Sequence, residues 1–252
     1  MIKKNHDILK VSIVTVVYNA KEDLEKTIES VLEQDYSKIE YIIIDGGSSD
    51  GTLDIIKKYQ NRINYWISEK DNGIYDAMNK GIKFASGAYI NFLNAGDLYS
   101  SLTVVSNISS KIREKNCKII YGNVVYNRKD GSLFIDDKSR KKSSNIYEIN
   151  HQSCFYSLNL HKQYGLYSLD YKISSDFLFL NSVIKVLDNE PFKVDFNIVE
   201  YDEGGFSRVN ILEHQWEKIK ISMRLYGINF YIFSPLLIII KVLIKKVLGR
   251  KN

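Results

Sequence analysis

The feature that most constrains this chain is the alternation, over its first hundred residues, of short β-branched runs with segments of helical periodicity. Val11-Ser-Ile-Val-Thr-Val-Val17 is almost wholly apolar, the pattern of a strand buried on both faces. Asn19 followed by Glu22 predicts a capping-box start, and Leu24, Ile28, Val31 and Leu32 mark one face of the helix that follows. Tyr41-Ile-Ile-Ile44 is a second strand, and Ser49 or Asp50 caps a helix running through Leu53, Ile56 and Tyr59. A third strand is expected over 63–68, a helix over 74–85 and a fourth strand over 88–93. The alternation implies an α/β fold with a doubly wound, mostly parallel sheet. At 252 residues the chain has room for one such domain with an appendage.

Past Asp97 the periodicity predicts a helix over 102–114, a strand over 119–126 and a hairpin turn at Lys129-Asp130-Gly131. A polar, basic loop is expected over 136–145, helices over 158–164 and 175–187, and a strand over 192–199. A turn at Gly204-Gly205 and a helix over 211–226 follow, and Ser234-Pro235 starts a last helix. Two cysteines, Cys117 and Cys154, exclude a disulfide framework and a cysteine-built zinc site, and they fit a reducing compartment. The first apolar run is too short for a signal peptide, so a cytoplasmic protein without a cleaved leader is expected.

Charge is distributed unevenly. The last twelve residues carry Lys241, Lys245, Lys246, Arg250 and Lys251 with no acid, and the first 240 balance at 30 bases and 30 acids. A neutral body argues against nucleic-acid binding, and the basic tail points to an anionic surface. Sixteen uncharged residues separate Arg224 from Lys241, short of the ~20 a membrane span needs. Beyond Pro235, helical spacing sets Lys241 and Lys245 on one face against Leu236, Ile239, Leu243 and Val247. Such a helix suits a membrane interface; packing on the body or on a second copy of the chain in a homo-oligomer is the alternative.

In open parallel sheets ligands bind beyond the carboxyl ends of the strands. Here those ends carry Tyr18-Asn19, Asp45, the run Glu69 to Gly73, and Asn94 to Asp97. Acids at three neighbouring strand ends would repel unless a cation or hydrogen-bond donors met them. No Gly-x-Gly-x-x-Gly and no P-loop is present, so phosphates there would be neutralised by a metal. A hard divalent ion takes one or two carboxylates plus substrate phosphates, and Asp97 suits that task.

Four strings stand in order: Val14-Thr-Val-Val-Tyr18-Asn19, Ile43-Ile-Asp45-Gly-Gly-Ser-Ser-Asp50-Gly51-Thr52, Glu69-Lys-Asp71-Asn-Gly73-Ile-Tyr-Asp76-Ala-Met-Asn79-Lys-Gly81, and Phe92-Leu-Asn94-Ala-Gly-Asp97. With Ala85-Ser-Gly87 between the last two, they resemble the nucleotide-sugar-binding half of family-two glycosyltransferases of the GT-A fold. The resemblance resumes at His151-Gln152-Ser153, Ser175-Asp176 and Gly204-Gly205-Phe-Ser207. It implies a nucleotide-sugar half over residues 1–100, an acceptor half over 101–227 and a basic, membrane-associating tail over 228–252.

The same resemblance assigns roles. Thr15, Val16 and Tyr18 would line the base and ribose pocket, and Asp45 would accept from the pyrimidine ring N–H. Asp71, Asn72 and Gly73 would lie along the ribose and diphosphate. Asp76 and Asn79 would face the donor, or else serve as surface and capping groups. Asn94 and Asp97 stand where the family has an Asp-x-Asp followed by one more acid, and only Asp97 keeps its carboxylate, for Mg²⁺ or Mn²⁺. Asp176 matches the general base of an inverting transfer, or is an acid favoured by the helix dipole. His151 and Gln152 resemble residues at the acceptor edge. The implied donor is a nucleotide-diphospho-sugar, with UDP favoured. The implied acceptor is a lipid-linked glycan at the inner face of the cell membrane, in O-antigen, capsule or exopolysaccharide synthesis. Two other readings stand beside it: a non-catalytic nucleotide-sugar-binding or scaffolding relative, and a nucleotidyltransferase, which would need a basic, glycine-rich phosphate loop that the sequence lacks.

Overall fold

Residues 8–127, 133–136, 140–141, 146–202 and 210–227 are described by the computed structural model. The strands are β1 (Val11–Val17), β2 (Ile39–Asp45), β3 (Tyr65–Ser68), β4 (Tyr89–Phe92), β5 (Asp97–Tyr99), β6 (Ile119–Asn127), β7 (Leu133–Asp136), β8 (Arg140–Lys141), β9 (Tyr147–Glu148), β10 (Cys154–Ser157) and β11 (Phe192–Asp202). The helices are α1 (Lys21–Leu32), α2 (Thr52–Tyr59), α3 (Ile74–Phe84), α4 (Val104–Lys115), α5 (Asn159–Tyr164), α6 (Ser175–Ile184) and α7 (Ile211–Tyr226).

β1 is buried along its whole length because helices cover both faces of the sheet. Val11, Ile13 and Val17 pack with Leu24, Ile28 and Val31 of α1, Ile56 of α2 and Ile108 of α4. Val14 and Val16 belong to the opposite core, with Met78 and Ile82 of α3 and Phe179 and Leu180 of α6. This two-sided covering is why the strand reads as a continuous apolar run and not as an alternation.

The main sheet runs β3-β2-β1-β4-β10-β6-β11-β5, with β7 paired to β6. β1 to β4 are mutually parallel. β6 and β11 run the same way, while β5, β7 and β10 run against them. The sheet is therefore mostly parallel, as expected. The chain winds outward from β1 to β3 and then returns to place β4 on the other side of β1. That reversal opens a crevice at the carboxyl rim of β1 and β4, where such sheets bind ligands.

The sequence signals missed β5, β10 and the short pair β8–β9. β10 lies antiparallel between β4 and β6, so one return strand joins the two halves of the sheet. Asn19 does not start a capping box. The N-cap of α1 is Ala20, without a side-chain bond, and Asn19 sits at φ 47 with its amide oxygen accepting from Ser49 N–H. Asp50 does more than expected. One carboxylate oxygen accepts Thr52 N–H at the start of α2 and the other accepts Lys21 N–H at the start of α1. A single acid thus meets open N–H groups at two helix N-termini.

The opposite rim is tied by Glu40, a buried carboxylate that accepts from Lys10, Ser12 and Ser86. Burial pushes its carboxyl up, but these bonds outweigh it and hold it at about 2. Among the described residues no helix is long and apolar enough to cross a membrane. The Lys129-Asp130-Gly131 turn, most of the 136–145 loop, Gly204-Gly205-Phe206-Ser207 and the tail from 228 lie outside the described residues.

Candidate active site

Asp45 is the last residue of β2 and is fully buried. It accepts from Ser48 N–H (3.1 Å), the Ser48 hydroxyl and the Ser68 hydroxyl. The next residue, Gly46, packs closely here: a Cβ on it would sit 2.5 Å from Asp71 Oδ2 and 3.4 Å from the Tyr18 ring, so a larger residue would push the Asp71 carboxylate aside. The loops after β1, β2 and β3 therefore converge on one point. Asp71 Oδ1 accepts Gly73 N–H (2.9 Å), and Gly73 holds φ +112, which favours glycine. Asn72 is exposed in the same turn.

The residues expected to line the donor pocket separate. The Tyr18 side chain is 66% exposed at the rim. Thr15 and Val16 are buried, and the Thr15 hydroxyl is engaged by Leu93 O and Tyr41 Oη, so neither side chain is open to a ligand. Asp76 takes the capping alternative, accepting Asn72 N–H at 2.9 Å. Asn79, expected to face the donor or to act as a surface or capping group, is turned inward. It is buried, and its amide oxygen and nitrogen bond Tyr167 N and O, both at 2.9 Å.

Asn94 to Asp97 form a tight turn closed by Asp97 N–H to Asn94 O (3.0 Å), with Gly96 at φ +96 in the third position. The Asp97 side chain folds back onto Asn94 N–H, and the Thr27 hydroxyl of α1 pins Gly96 and Asp97. Burial raises the Asp97 carboxyl to about 7, against the nearby His151, Asn94 N–H and the Gln152 side chain. The Asn94 Oδ1 is buried with no hydrogen-bond partner, on the residue whose backbone N–H the Asp97 carboxylate accepts. No group of three or more His, Cys, Asp or Glu metal ligands occurs among the described residues. The pair still suits a hard cation: one carboxylate and one unsatisfied amide oxygen, leaving the other positions to substrate phosphates and water.

Asp176 stands in the first turn of α6. Tyr75 donates its hydroxyl to Oδ1 (2.6 Å), and His151 Nδ1 donates to Oδ2 (3.0 Å). Burial pushes the Asp176 carboxyl up. The hydrogen bond and charge of His151, with Tyr75 and Phe177 N–H, outweigh it and hold the group at about 2. For His151 burial acts downward, but Asp176 and then Asp97 raise it above its ordinary value. Its Nε2 lies 3.3 Å from Asn94 Nδ2. One imidazole therefore lies between Asp97 and Asp176, which are 79 positions apart in the sequence.

A cavity of about 330 Å³ opens beside this pair. His151, Gln152 and Asp176 form one wall, and His214, Gln215 and Lys218 of α7 form another. α7 is docked by Glu217, a buried carboxylate that accepts the backbone N–H groups of Lys172 (2.7 Å), Ile173 (3.0 Å) and Ser174 (2.9 Å). Sequence reasoning missed Tyr75, Glu217 and the polar face of α7.

The profile of Glycosyl transferase family 2 matches residues 12–172. An uncharacterized glycosyltransferase of Mycobacterium tuberculosis is 33% identical over 202 residues, covering 77% of this chain and 76% of its own. A PGL/p-HBAD biosynthesis glycosyltransferase of Mycobacterium bovis is 28% identical over 232 residues, 88% of each chain. Among solved structures, S. aureus TarS 1-349 in complex with UDP-GlcNAc matches with a TM-score of 0.68 at 17% identity, over 86% of this chain and 68% of that one. The mannosyltransferase PcManGT from Pyrobaculum calidifontis, with GDP-Man and Mn²⁺, gives 0.64 at 15% identity, over 85% of this chain and 65% of that one. The chain thus spans about two thirds of these solved proteins, and the likeness to them is one of fold, the GT-A fold. Because the family profile covers well over half of the 252 residues, this chain belongs to glycosyl transferase family 2.

Proposed function

We propose that the protein transfers a sugar from a nucleotide-diphospho-sugar, with UDP as the nucleotide, to a hydroxyl of a glycan acceptor with inversion at the anomeric carbon. The observation that carries this is the single imidazole of His151, bonded to Asp176 and adjacent to Asp97. It brings a carboxylate suited to a cation and a carboxylate suited to a base into one crevice, at the rim where Asp45 and Asp71 also lie.

In this reading Asp45, Tyr18 and the Asp71–Gly73 turn hold the nucleoside. For the ring N–H to reach Asp45, a serine hydroxyl now bonded to it gives way. Asp97 and the Asn94 amide oxygen would hold Mg²⁺ or Mn²⁺, which when bound supplies positive charge against the leaving diphosphate. The acceptor oxygen attacks the anomeric carbon on the face opposite the diphosphate. As that bond forms, the bond from the anomeric carbon to the phosphate oxygen breaks, and UDP carries away the electron pair. The hydroxyl proton passes to Asp176. His151 and Tyr75 fix the orientation of that carboxylate, and one of these bonds gives way for it to receive the proton; held at about 2, it is a weaker base than one tuned near neutral pH, for which assistance reaches about 10²–10⁴-fold.

The acceptor is a lipid-linked glycan met at the cytoplasmic face of a membrane, with the basic residues beyond 240 as the membrane contact. Support for this part is the family's character and the charge of the sequence. Screening sugar nucleotides by thermal shift with Mn²⁺ identifies the donor. Release of UDP from that donor is then measured with lipid-linked acceptor, with and without EDTA. Turnover is lost in Asp97→Ala and Asp176→Asn with folding intact; full turnover in Asp176→Asn removes Asp176 as the base. Donor binding without turnover under any acceptor would favour a non-catalytic binding role.

A further inference from the structure

We propose that the outward stripe of α7, made by Trp216, Lys220, Met223 and Arg224, docks on an anionic phospholipid surface. The proposal rests on the membrane part of the reading above, which uses the residues beyond 240. It moves the contact into the folded body and names the side chains that make it.

The two sides of α7 differ. One is fastened to the body along its length: Glu217 accepts the 172–174 backbone N–H groups, Ile221 is buried with Ile146 and Phe177, and Lys185 donates to Leu225 O at 2.6 Å. Lys218 belongs to this side too, its ammonium 5.2 Å from the centre of the Phe177 ring. Helical spacing sets 216, 220 and 223 in one stripe on the other side, with 213 and 224 on its flank. There Trp216 is 52% and Met223 41% exposed, and Lys220 and Arg224 are exposed with no ion-pair partner among the described residues. Large apolar side chains scattered singly on a surface need no explanation, but here an indole and a thioether share one stripe with two unpaired cations.

Charge selects the occupant. Glu217 is the last acid of the chain; the 35 residues from 218 onward carry eight bases and no Asp or Glu. The segregation of charge therefore begins inside α7 and not at the tail. Glu217 itself is engaged by backbone, and Glu213, the acid on the outer flank, lies 3.7 Å from the Lys172 ammonium. What remains outward is apolar and positive. A bilayer matches both properties, since Trp settles at headgroup level while Lys and Arg reach phosphates along apolar stems. A second copy of the chain on this stripe would instead bring its own unpaired bases against these.

Position supports the same occupant. The inner flank of α7 walls the cavity that it shares with His151, Gln152 and Asp176. A helix is about 10–12 Å across, so docking the outer stripe sets that crevice about one helix diameter from the headgroups. The chain leaves α7 at Gly227 toward the bases of 241–251, which makes the two contacts parts of one continuous stretch. An acceptor held in the membrane would then meet Asp176 without leaving the surface.

Tryptophan fluorescence of the full chain tests this. The chain has two tryptophans, so Trp66→Phe leaves Trp216 as the reporter, and the difference between wild type and Trp216→Phe gives the same signal with Trp66 in place. The probes are vesicles of phosphatidylcholine alone or mixed with phosphatidylglycerol. On the mixed vesicles Trp216 emission should shift to the blue, be quenched by bromine-labelled lipid and lose its access to acrylamide. Trp216→Ser with Met223→Ser should weaken vesicle binding about tenfold or more. Lys220→Gln with Arg224→Gln should do so by about tenfold or more at low salt. The melting temperature and UDP affinity should hold in both. Wild-type protein that sediments with the mixed vesicles while Trp216 stays open to acrylamide would overturn the docking face and leave the tail as the contact. Emission already blue-shifted without lipid would overturn it as well: dependence on protein concentration would assign the stripe to a second copy, and independence to the chain's own residues. Wild-type protein that sediments with neither kind of vesicle would overturn the membrane reading itself.

Discussion

Replacing Glu217 tests how the wall facing Asp176 is held. Its carboxylate accepts three backbone N–H groups, and those of Ile173 and Ser174 belong to buried residues. Each hydrogen bond to a charged acceptor contributes about 1.5–3 kcal/mol, and each buried N–H left without a partner costs about 1–3 kcal/mol. The Lys172 N–H is only part-buried, so water can replace its bond. Glu217→Ala should therefore cost about 3–5 kcal/mol, set mainly by the two buried donors. Glu217→Gln keeps one acceptor oxygen but turns an NH₂ toward the remaining donors, and should cost about 2 kcal/mol. Urea unfolding followed by circular dichroism reads both values. The loss is a large part of the 5–15 kcal/mol typical of a domain. Because Ser174 is the N-cap of α6 and Asp176 lies two residues on, Glu217→Gln should also slow turnover without changing UDP affinity. A loss below about 1 kcal/mol in Glu217→Ala would refute the reasoning, since it would mean that the 172–174 backbone finds other partners at no cost.

Gly81→Ala should lose about 1–2 kcal/mol in denaturant, because its Cβ would stand 2.4 Å from Val14 Cγ1 of the fully buried β1, and overpacking outweighs the gain in helix propensity; a Val14→Ala background should recover most of the loss, and an additive double variant would contradict the contact. Gly46→Ala drives a Cβ against Asp71 Oδ2 and Tyr18, so UDP affinity measured by calorimetry should fall about tenfold with little change in melting temperature. The Asp176–His151 bond should stabilise most between about pH 4 and 6.5: Asp176 is lowered from 3.8, so its share is present above that value and lost as pH falls toward 2, while His151 is raised from 6.5, so its share is present below that value and lost as pH rises through the folded one. The melting-temperature gap between wild type and His151→Phe should narrow at both extremes of pH, and a constant gap would contradict the pairing.

What the sequence disclosed depended on how local each signal was. β1, β2 and α3 carry their own periodicity, and the turn at Asn94 to Asp97 needs Gly96 at positive φ, so these elements were legible from short strings. The role of Asn79 was not, because its amide is satisfied by the backbone of Tyr167, 88 residues away. β10 was hidden for a similar reason. Its four residues form a strand only because β4 and β6 flank it, and nothing in Cys154-Phe-Tyr-Ser157 announces that pairing. Asp176 was legible as an acid opening a helix; that His151 and Tyr75 hold it was not.

This division has a physical basis in how the rim is assembled. The side at Asp45, Asp71 and Asp97 is made by successive loops of one parallel sheet, so its residues recur at strand ends in chain order. The Asp176 side is made by segments from different elements that meet at one carboxylate: Tyr75 from α3, His151 just before β10, and Asp176 itself from α6. Loops of the first kind can keep their strings while the second half of the chain varies around them. The two sides meet at His151, which bonds Asp176 through Nδ1 and faces Asn94 through Nε2. A change in the turn that holds Asp97 therefore bears directly on the side chain bonded to Asp176, and the two sides are mechanically one site, although only one of them is written locally in the sequence.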